Sequence, residues 1–144
     1  MFFLERTCDA KDLLVPARQS LEAAGFDLYA NVKAITIKRG ERVLVPTGIK
    51  IALPFGYEAQ IRSRSGLAYK HGVAVLNSPG TVDSDYRGEI KVILINHGEQ
   101  DFTINRGDRI AQMIIARVEM VEFVEADKLP GTERADGGFG STGA

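Results

Sequence analysis

The chain has 144 residues, 44% of them hydrophobic and 26% charged, with a formal net charge of −1. A domain of this length hides roughly 70% of its unfolded surface, enough for a core without disulfides. The near-neutral balance excludes a bulk basic field for nucleic acid or anionic membrane, so any polyanionic ligand must be met by local arginines and a metal ion.

The opening MFFLERTCDA places four apolar residues before charge intervenes, too few for a signal-peptide core. No stretch approaches the ~18 apolar residues of a membrane helix. Cys8 is the only cysteine, which excludes an internal disulfide and suits a reducing compartment. A cytoplasmic protein with no membrane attachment and no direct nucleic-acid binding is expected.

Residues 42–53 (RVLVPTGIKIAL) are rich in β-branched side chains and are interrupted by Pro46-Thr-Gly48, which predicts a hairpin or a bulge. Between positions 40 and 107, glycines recur at gaps of six to ten residues, the rhythm of short strands separated by turns. Tyr57, Ala59 and Ile61 alternate with Glu58, Gln60 and Arg62, a strand period of two. One short helix is expected at 65–71, closed by Gly72. Residues 90–95 (IKVILI) and 110–116 (IAQMIIA) are apolar on both faces, as in strands buried inside a sandwich or at a subunit interface. From about residue 126 apolar side chains become few, and five of the fifteen glycines fall between 131 and 143. Such a tail is expected to be flexible until a ligand orders it. The fold class is therefore all-β, with one domain, one short helix and a glycine-rich C-terminal segment.

Four segments carry candidate chemistry. In the tail, Gly138-Phe-Gly140-Ser-Thr-Gly143 matches a dinucleotide fingerprint, but that motif opens a helix and only Ala144 follows. The remaining parts, exposed backbone N–H groups with Arg134, Ser141, Thr142 and the Phe139 ring, suit a phosphate and a base. Arg62-Ser-Arg-Ser-Gly-Leu-Ala68 joins two guanidinium groups, two hydroxyls and a helix start, an anion site or else a solvated turn capped by Ser65. In Gly80-Thr-Val-Asp-Ser-Asp-Tyr-Arg-Gly-Glu89, Asp83 and Asp85 share a face if the backbone is extended, and could activate water or hold a divalent ion. The alternative is an Asx-type turn. In Arg106-Gly-Asp-Arg-Ile-Ala-Gln-Met-Ile114, Gln112 interrupts an apolar run and either satisfies backbone groups or reaches a ligand. Asp108 is expected to pair with a neighbouring arginine.

In order and spacing, these segments together with Ala24-Gly-Phe-Asp-Leu-Tyr-Ala30 resemble the five motifs of the trimeric dUTPase family, from about residue 24 to the C-terminus. The resemblance implies a jelly-roll-like β-sandwich or barrel over residues 1–125. It also implies a homotrimer with active sites shared at subunit interfaces, and an arm, 126–144, closing over a neighbour's site. It implies hydrolysis of dUTP to dUMP and pyrophosphate with Mg²⁺, which keeps uracil out of DNA.

By position, Asp83 resembles the carboxylate that orients and deprotonates the attacking water. Tyr86 resembles the ring under the deoxyribose that leaves no room for a 2′-hydroxyl. Asn77 and backbone atoms around Thr81, Val82 and Lys91 resemble the hairpin that pairs with uracil. Arg64, Ser65, Gly66 and Gln112 resemble the phosphate contacts, and Asp27 the residue that reaches Mg²⁺ through coordinated water. Phe139 would cover the base, while Arg134, Ser141 and Thr142 would hold the terminal phosphate. Mg²⁺ keeps several waters and few protein ligands, so no His/Cys cluster is needed.

Such a site rejects dCTP through mismatched hydrogen bonds by ~10⁴-fold or more, but dTTP only through one methyl group, worth about 1–3 kcal/mol in a passive pocket. Three positions depart from the family pattern. Ser63 replaces a frequent proline and is expected to loosen the phosphate turn; Ala135 replaces a glycine; Asp136 adds a negative charge. The competing readings are a dCTP deaminase of the same fold and a non-catalytic nucleotide-binding regulatory module. Retention of Asp83, Arg64 and Arg134 together counts against the second.

Overall fold

A computed structural model describes residues 1–138. Eleven strands and one α-helix follow in order: β1 (Phe3–Arg6), β2 (Phe26–Tyr29), β3 (Ala34–Ile37), β4 (Arg42–Pro46), β5 (Ile49–Ala52), β6 (Tyr57–Arg62), α1 (Ser65–His71), β7 (Val73–Val75), β8 (Gly80–Val82), β9 (Lys91–Asn96), β10 (Phe102–Asn105) and β11 (Arg109–Arg117). A 3-10 turn, Cys8–Ala10, follows β1. The strands form a four-stranded sheet, β2-β11-β6-β8, a three-stranded sheet, β4-β9-β7, and the pairs β1-β5 and β3-β10. Every pairing is antiparallel.

The period of two becomes the core. Ile49 and Ile51 of β5, Ala59 and Ile61 of β6, and Val92 and Leu94 of β9 point inward and are buried. Burying each large aliphatic side chain contributes about 1.5–3 kcal/mol. Of the buried polar residues among those described, Asn96 alone is at 0% exposure. Its Nδ2 donates to Ile37 O at 2.9 Å and Gln100 O at 2.8 Å, and its Oδ1 accepts from Gly98 N at 2.8 Å. Leaving such a group unpaired would cost about 1–3 kcal/mol.

Helix α1 falls where the sequence predicts, and Gly72, at φ 66°, closes it in the left-handed region. Pro46-Thr-Gly48, in contrast, is neither a hairpin nor a bulge. β4 pairs with β9 while β5 pairs with β1, so the three residues carry the chain from one sheet to another. Gly48, at φ 70°, makes that corner without a Cβ, which would overlap Ala10. The outer sides of 90–95 and 110–116 stay half-exposed at Ile93, Ile95 and Ile114.

The N-terminal segment is clasped to the β10–β11 turn. Arg106 donates to both carboxylate oxygens of Asp12, at 2.9 and 2.7 Å, and to Asn31 Oδ1 at 2.6 Å. It also reaches the Asp9 carbonyl. The hydrogen bond from Arg106 lowers the Asp12 pKa to about 2. A carboxylate with a lowered folded pKa adds stability that is complete above its unfolded value, about 4, and is lost as pH falls through the folded value. Arg106→Met is therefore expected to lower Tm at pH 7 and to flatten the fall in Tm between about pH 4 and 2. Thermal melts across that range would check this, and parallel curves for both proteins would contradict it.

Beyond Arg117 the described chain leaves the sheets. Val118 N donates to Gly56 O at 3.0 Å. Past it, Met120, Val121, Phe123 and Val124 stand exposed, Phe123 at 98%. No helix among the described residues is long and apolar enough to cross a membrane.

Candidate active site

The sheet register assembles the first cluster. Gln112 of β11 lies opposite Asp27 of β2 on one side and Arg62 of β6 on the other. Three neighbouring strands thus bring Asp27, Gln112 and the turn after β6 into one row. Asp27 is buried, with its side chain 11% exposed, and an ionised carboxylate in that setting needs opposite charge. It has two partners: Arg64 Nε lies 3.4 Å from Oδ1, and Arg109 Nη1 lies 3.2 Å from Oδ2. Arg64 Nη1 also donates to the Arg109 carbonyl at 3.0 Å. Two guanidinium groups flank the Asp27 carboxylate beside a cavity of about 270 Å³ lined by Arg64, Leu67, Asp108 and Arg109. The N–H groups these arginines leave free suit an anion.

The helix start sharpens this cluster. Arg64, not Ser65, is the N-cap residue of α1, and no side-chain cap bond forms. The Ser65 hydroxyl is therefore not used as a cap, and Ser65 and Gly66 are exposed in the first turn. Gln112 Nε2 donates to Ser63 O at 3.0 Å, so one amide hydrogen braces the turn and the other remains. Ser63 has a partner of its own at this approach. Its Oγ accepts the Val75 N–H at 2.8 Å, a bond proline lacks the hydroxyl to make. Asp108 does not pair with an arginine. Its carboxylate accepts the Asn105 N–H at 2.7 Å and closes the turn before β11.

The second cluster is the segment from β8 to β9. Thr81 and Lys91 are exposed and Val82 is buried. With Asp83, Tyr86 and Leu44 they line a cavity of about 590 Å³. β8 ends at Val82, and Tyr86 N donates to Asp83 O at 3.2 Å, so 83–86 is a turn. Asp83 and Asp85 consequently do not share the face of an extended strand. Asp83 is exposed and forms no salt bridge among the described residues, so its carboxylate is open to a water molecule.

Tyr86 lies across Gly88, where a Cβ would stand 2.5 Å from its Cζ, and its hydroxyl donates to Glu89 O at 3.1 Å. The Glu89 carboxylate in turn accepts Gly48 N–H at 2.8 Å, anchoring the turn to the sheet corner. Gly88, Glu89 and Arg109 received no role from the sequence. Arg109 has a signal there, a charge at the head of an apolar run, whereas Gly88 and Glu89 read only as turn residues.

Asn77 sits on the loop leading into β8, outside the residues lining the larger cavity, with its amide beside Gly80. Arg134 Nε donates to Gly137 O at 2.8 Å within the tail itself. Ala135, where a glycine was expected, adopts φ 44°, a left-handed conformation costing an L-residue about 1–2 kcal/mol. Phe139, Ser141 and Thr142 lie outside the described residues.

The two clusters lie at opposite ends of β6. Val82 pairs with Ala59, which sets Asp83 beside Glu58, while Arg64 follows the other end of the strand. Six residue rises of about 3.3 Å separate them, roughly 20 Å. Among the described residues, the cavity lined by Arg64 does not include Asp83, and the one lined by Asp83 does not include Arg64.

A family model for dUTPase matches residues 11–143. A deoxyuridine 5'-triphosphate nucleotidohydrolase of Caldanaerobacter subterraneus subsp. tengcongensis is 61% identical over 141 residues, 97% of this chain and 95% of the relative. One of Nautilia profundicola is 57% identical over 133 residues, 92% of this chain and 93% of that one. Among solved structures, a Staphylococcus bacteriophage 80alpha dUTPase with dUpNHpp superposes at TM-score 0.89 with 20% identity, covering 100% of this chain and 99% of that one. A dUTPase from phage phi11 of S. aureus, solved with a structural Mg(II) ion, matches at TM-score 0.79 and 19% identity, covering 89% and 97% of the two chains. These likenesses give the fold as a jelly roll.

Proposed function

The chain belongs to the dUTPase family and hydrolyses dUTP to dUMP and pyrophosphate, and from that premise we propose that it does so in sites shared between three copies. The carrying observation is the β6–β8 register, which leaves Arg64 and Asp83 roughly 20 Å apart in one protomer. That is too far for both to touch one phosphoanhydride, whereas a second copy can bring its own Arg64 to the first copy's Asp83. The half-exposed Ile93 and Ile95 and the exposed Met120, Val121, Phe123 and Val124 supply surface for such an assembly.

In this reading one copy's 80–91 segment receives the nucleoside. Asn77 and the backbone of Thr81, Val82 and Lys91 meet the uracil edge, and Tyr86 lies under the deoxyribose. Asp83 accepts a proton from the water that attacks the α-phosphorus. A second copy supplies Arg64, Ser65, Gly66 and Gln112 to the phosphates, whose charge grows as the leaving group departs. A neighbour's arm, 126–144, beyond the 1–125 core, closes with Phe139 over the base and Arg134, Ser141 and Thr142 on the terminal phosphate.

For Mg²⁺, the described residues hold no group of three His, Cys, Asp or Glu side chains. One nearly buried carboxylate, Asp27, lies beside Arg64. Both its oxygens already meet arginines, so a Mg²⁺ ion would be held mainly by phosphate oxygens and water, with Asp27 reached only through water. Bound there, the ion would neutralise phosphate charge. The single cysteine suits a cytoplasmic setting.

Sedimentation equilibrium should give three copies, and a monomer turning over dUTP at full rate would overturn the shared site. Pyrophosphate release across dUTP, dTTP, dCTP and UTP should be confined largely to dUTP. Gly88→Ala, which pushes the Tyr86 ring aside, is expected to raise kcat/KM for UTP relative to dUTP by about tenfold. An unchanged ratio would remove Tyr86 from sugar selection.

A further inference from the structure

We propose that Arg109 is a positioning residue for Arg64 in dUTP hydrolysis, a role that rests on Arg64 being the arginine that grips the phosphates. Arg109 holds Arg64 in two ways. Its carbonyl accepts the Arg64 Nη1–H at 3.0 Å, and its guanidinium takes Asp27 Oδ2 at 3.2 Å. Only Oδ1, 3.4 Å from Arg64 Nε, is left for Arg64. A guanidinium carries five N–H groups in a rigid fork and prefers to meet a carboxylate through two of them at once. Facing Asp27 alone, Arg64 would close into that bidentate pair and turn its fork inward. With Arg109 sharing the carboxylate, Arg64 has Nε at Asp27 and one Nη1–H on a carbonyl, and three N–H groups remain for an anion.

Burial fits this division. The Arg64 side chain is 25% exposed and that of Arg109 is 45%, around an Asp27 at 11%. The two arginines arrive from different elements, Arg64 from the turn after β6 and Arg109 from the first residue of β11. Strand pairing thus fixes the support independently of the α1 turn it supports.

The test compares Arg109→Met, Arg109→Lys, Arg64→Met and the Arg64→Met/Arg109→Met double variant. It reads kcat, KM and the Kd of the non-hydrolysable α,β-imido analogue of dUTP. Arg109→Met is expected to raise the analogue's Kd and KM about tenfold, with kcat changed by less than about threefold. Arg109→Lys keeps a cation on Asp27 and should recover most of that loss. The double variant should bind no worse than Arg64→Met, because without Arg64 there is nothing left to position. Arg109→Met binding within about twofold of the parent would overturn the proposal. So would additive losses in the double variant, which would mark Arg109 as an independent contact, or equal defects in the Met and Lys variants with a lowered Tm, which would mark a structural role. If Arg64→Met itself binds the analogue normally, the phosphate assignment of Arg64 fails, and this proposal fails with it.

Discussion

Asp83→Asn is expected to lower kcat for dUTP by about 10²–10⁴-fold, the usual contribution of a positioned general base. KM and the affinity for a non-hydrolysable analogue should change little. Asparagine has the shape of aspartate, and the backbone carbonyl that receives Tyr86 N–H is untouched, so the turn survives the substitution. What is lost is an exposed carboxylate with no salt-bridge partner among the described residues. Single-turnover pyrophosphate release separates this chemical step from product release. A variant that keeps a large share of its rate would take the base role away from Asp83 and leave it a purely electrostatic one.

Removal of residues 134–144 carries the second large effect. Loss of kcat/KM by about 10²-fold or more is expected, the scale on which misplaced reacting groups lower rates. Tm should hold within a few degrees. Among the described residues the last strand ends at Arg117, and the Arg134 side chain bonds only to the neighbouring Gly137 carbonyl, so the β core does not lean on 134–138. The loss is expected in catalysis because the arm would supply a guanidinium, a ring and the exclusion of water. Steady-state kinetics beside a thermal melt would decide it. A large fall in Tm with little change in kcat/KM would make the tail a structural strap.

Local chemistry made much of this fold legible. The Tyr57–Arg62 alternation, the glycine spacing and the helix closed by Gly72 are properties of neighbouring residues, and they appear where the sequence indicated. Pro46-Thr-Gly48 misled because a corner between sheets and a hairpin turn use the same residue types. Only distant partners, β9 and β1, tell them apart. The Asp83–Asp85 reading failed similarly, since it assumed that β8 continued past Val82. Asp108 and Arg106 find their partners through the turn before β11 and through Asp12, 94 residues from Arg106. No local pattern encodes those choices.

The functional segments were visible as residue types, but not their division into two groups. Arg64 and Asp83 lie in neighbouring stretches of sequence and look like members of one pocket. The antiparallel pairing of β6 with β8 is what carries them apart. Arg109 likewise gains meaning only when β11 sets its guanidinium on Asp27 and its carbonyl under Arg64.

Mixed assemblies put the central claim to direct trial. Asp83→Asn protein, which retains its arm, and protein lacking 134–144, which retains Asp83, are each nearly inactive by the account above. Unfolded together and refolded as mixed trimers, they should regain a substantial fraction of parental activity, because some sites would combine an intact Asp83 with a neighbour's intact arm. If the mixture stays as inactive as its two components although mixed trimers form, each site is built within a single chain, and the shared-site account is wrong.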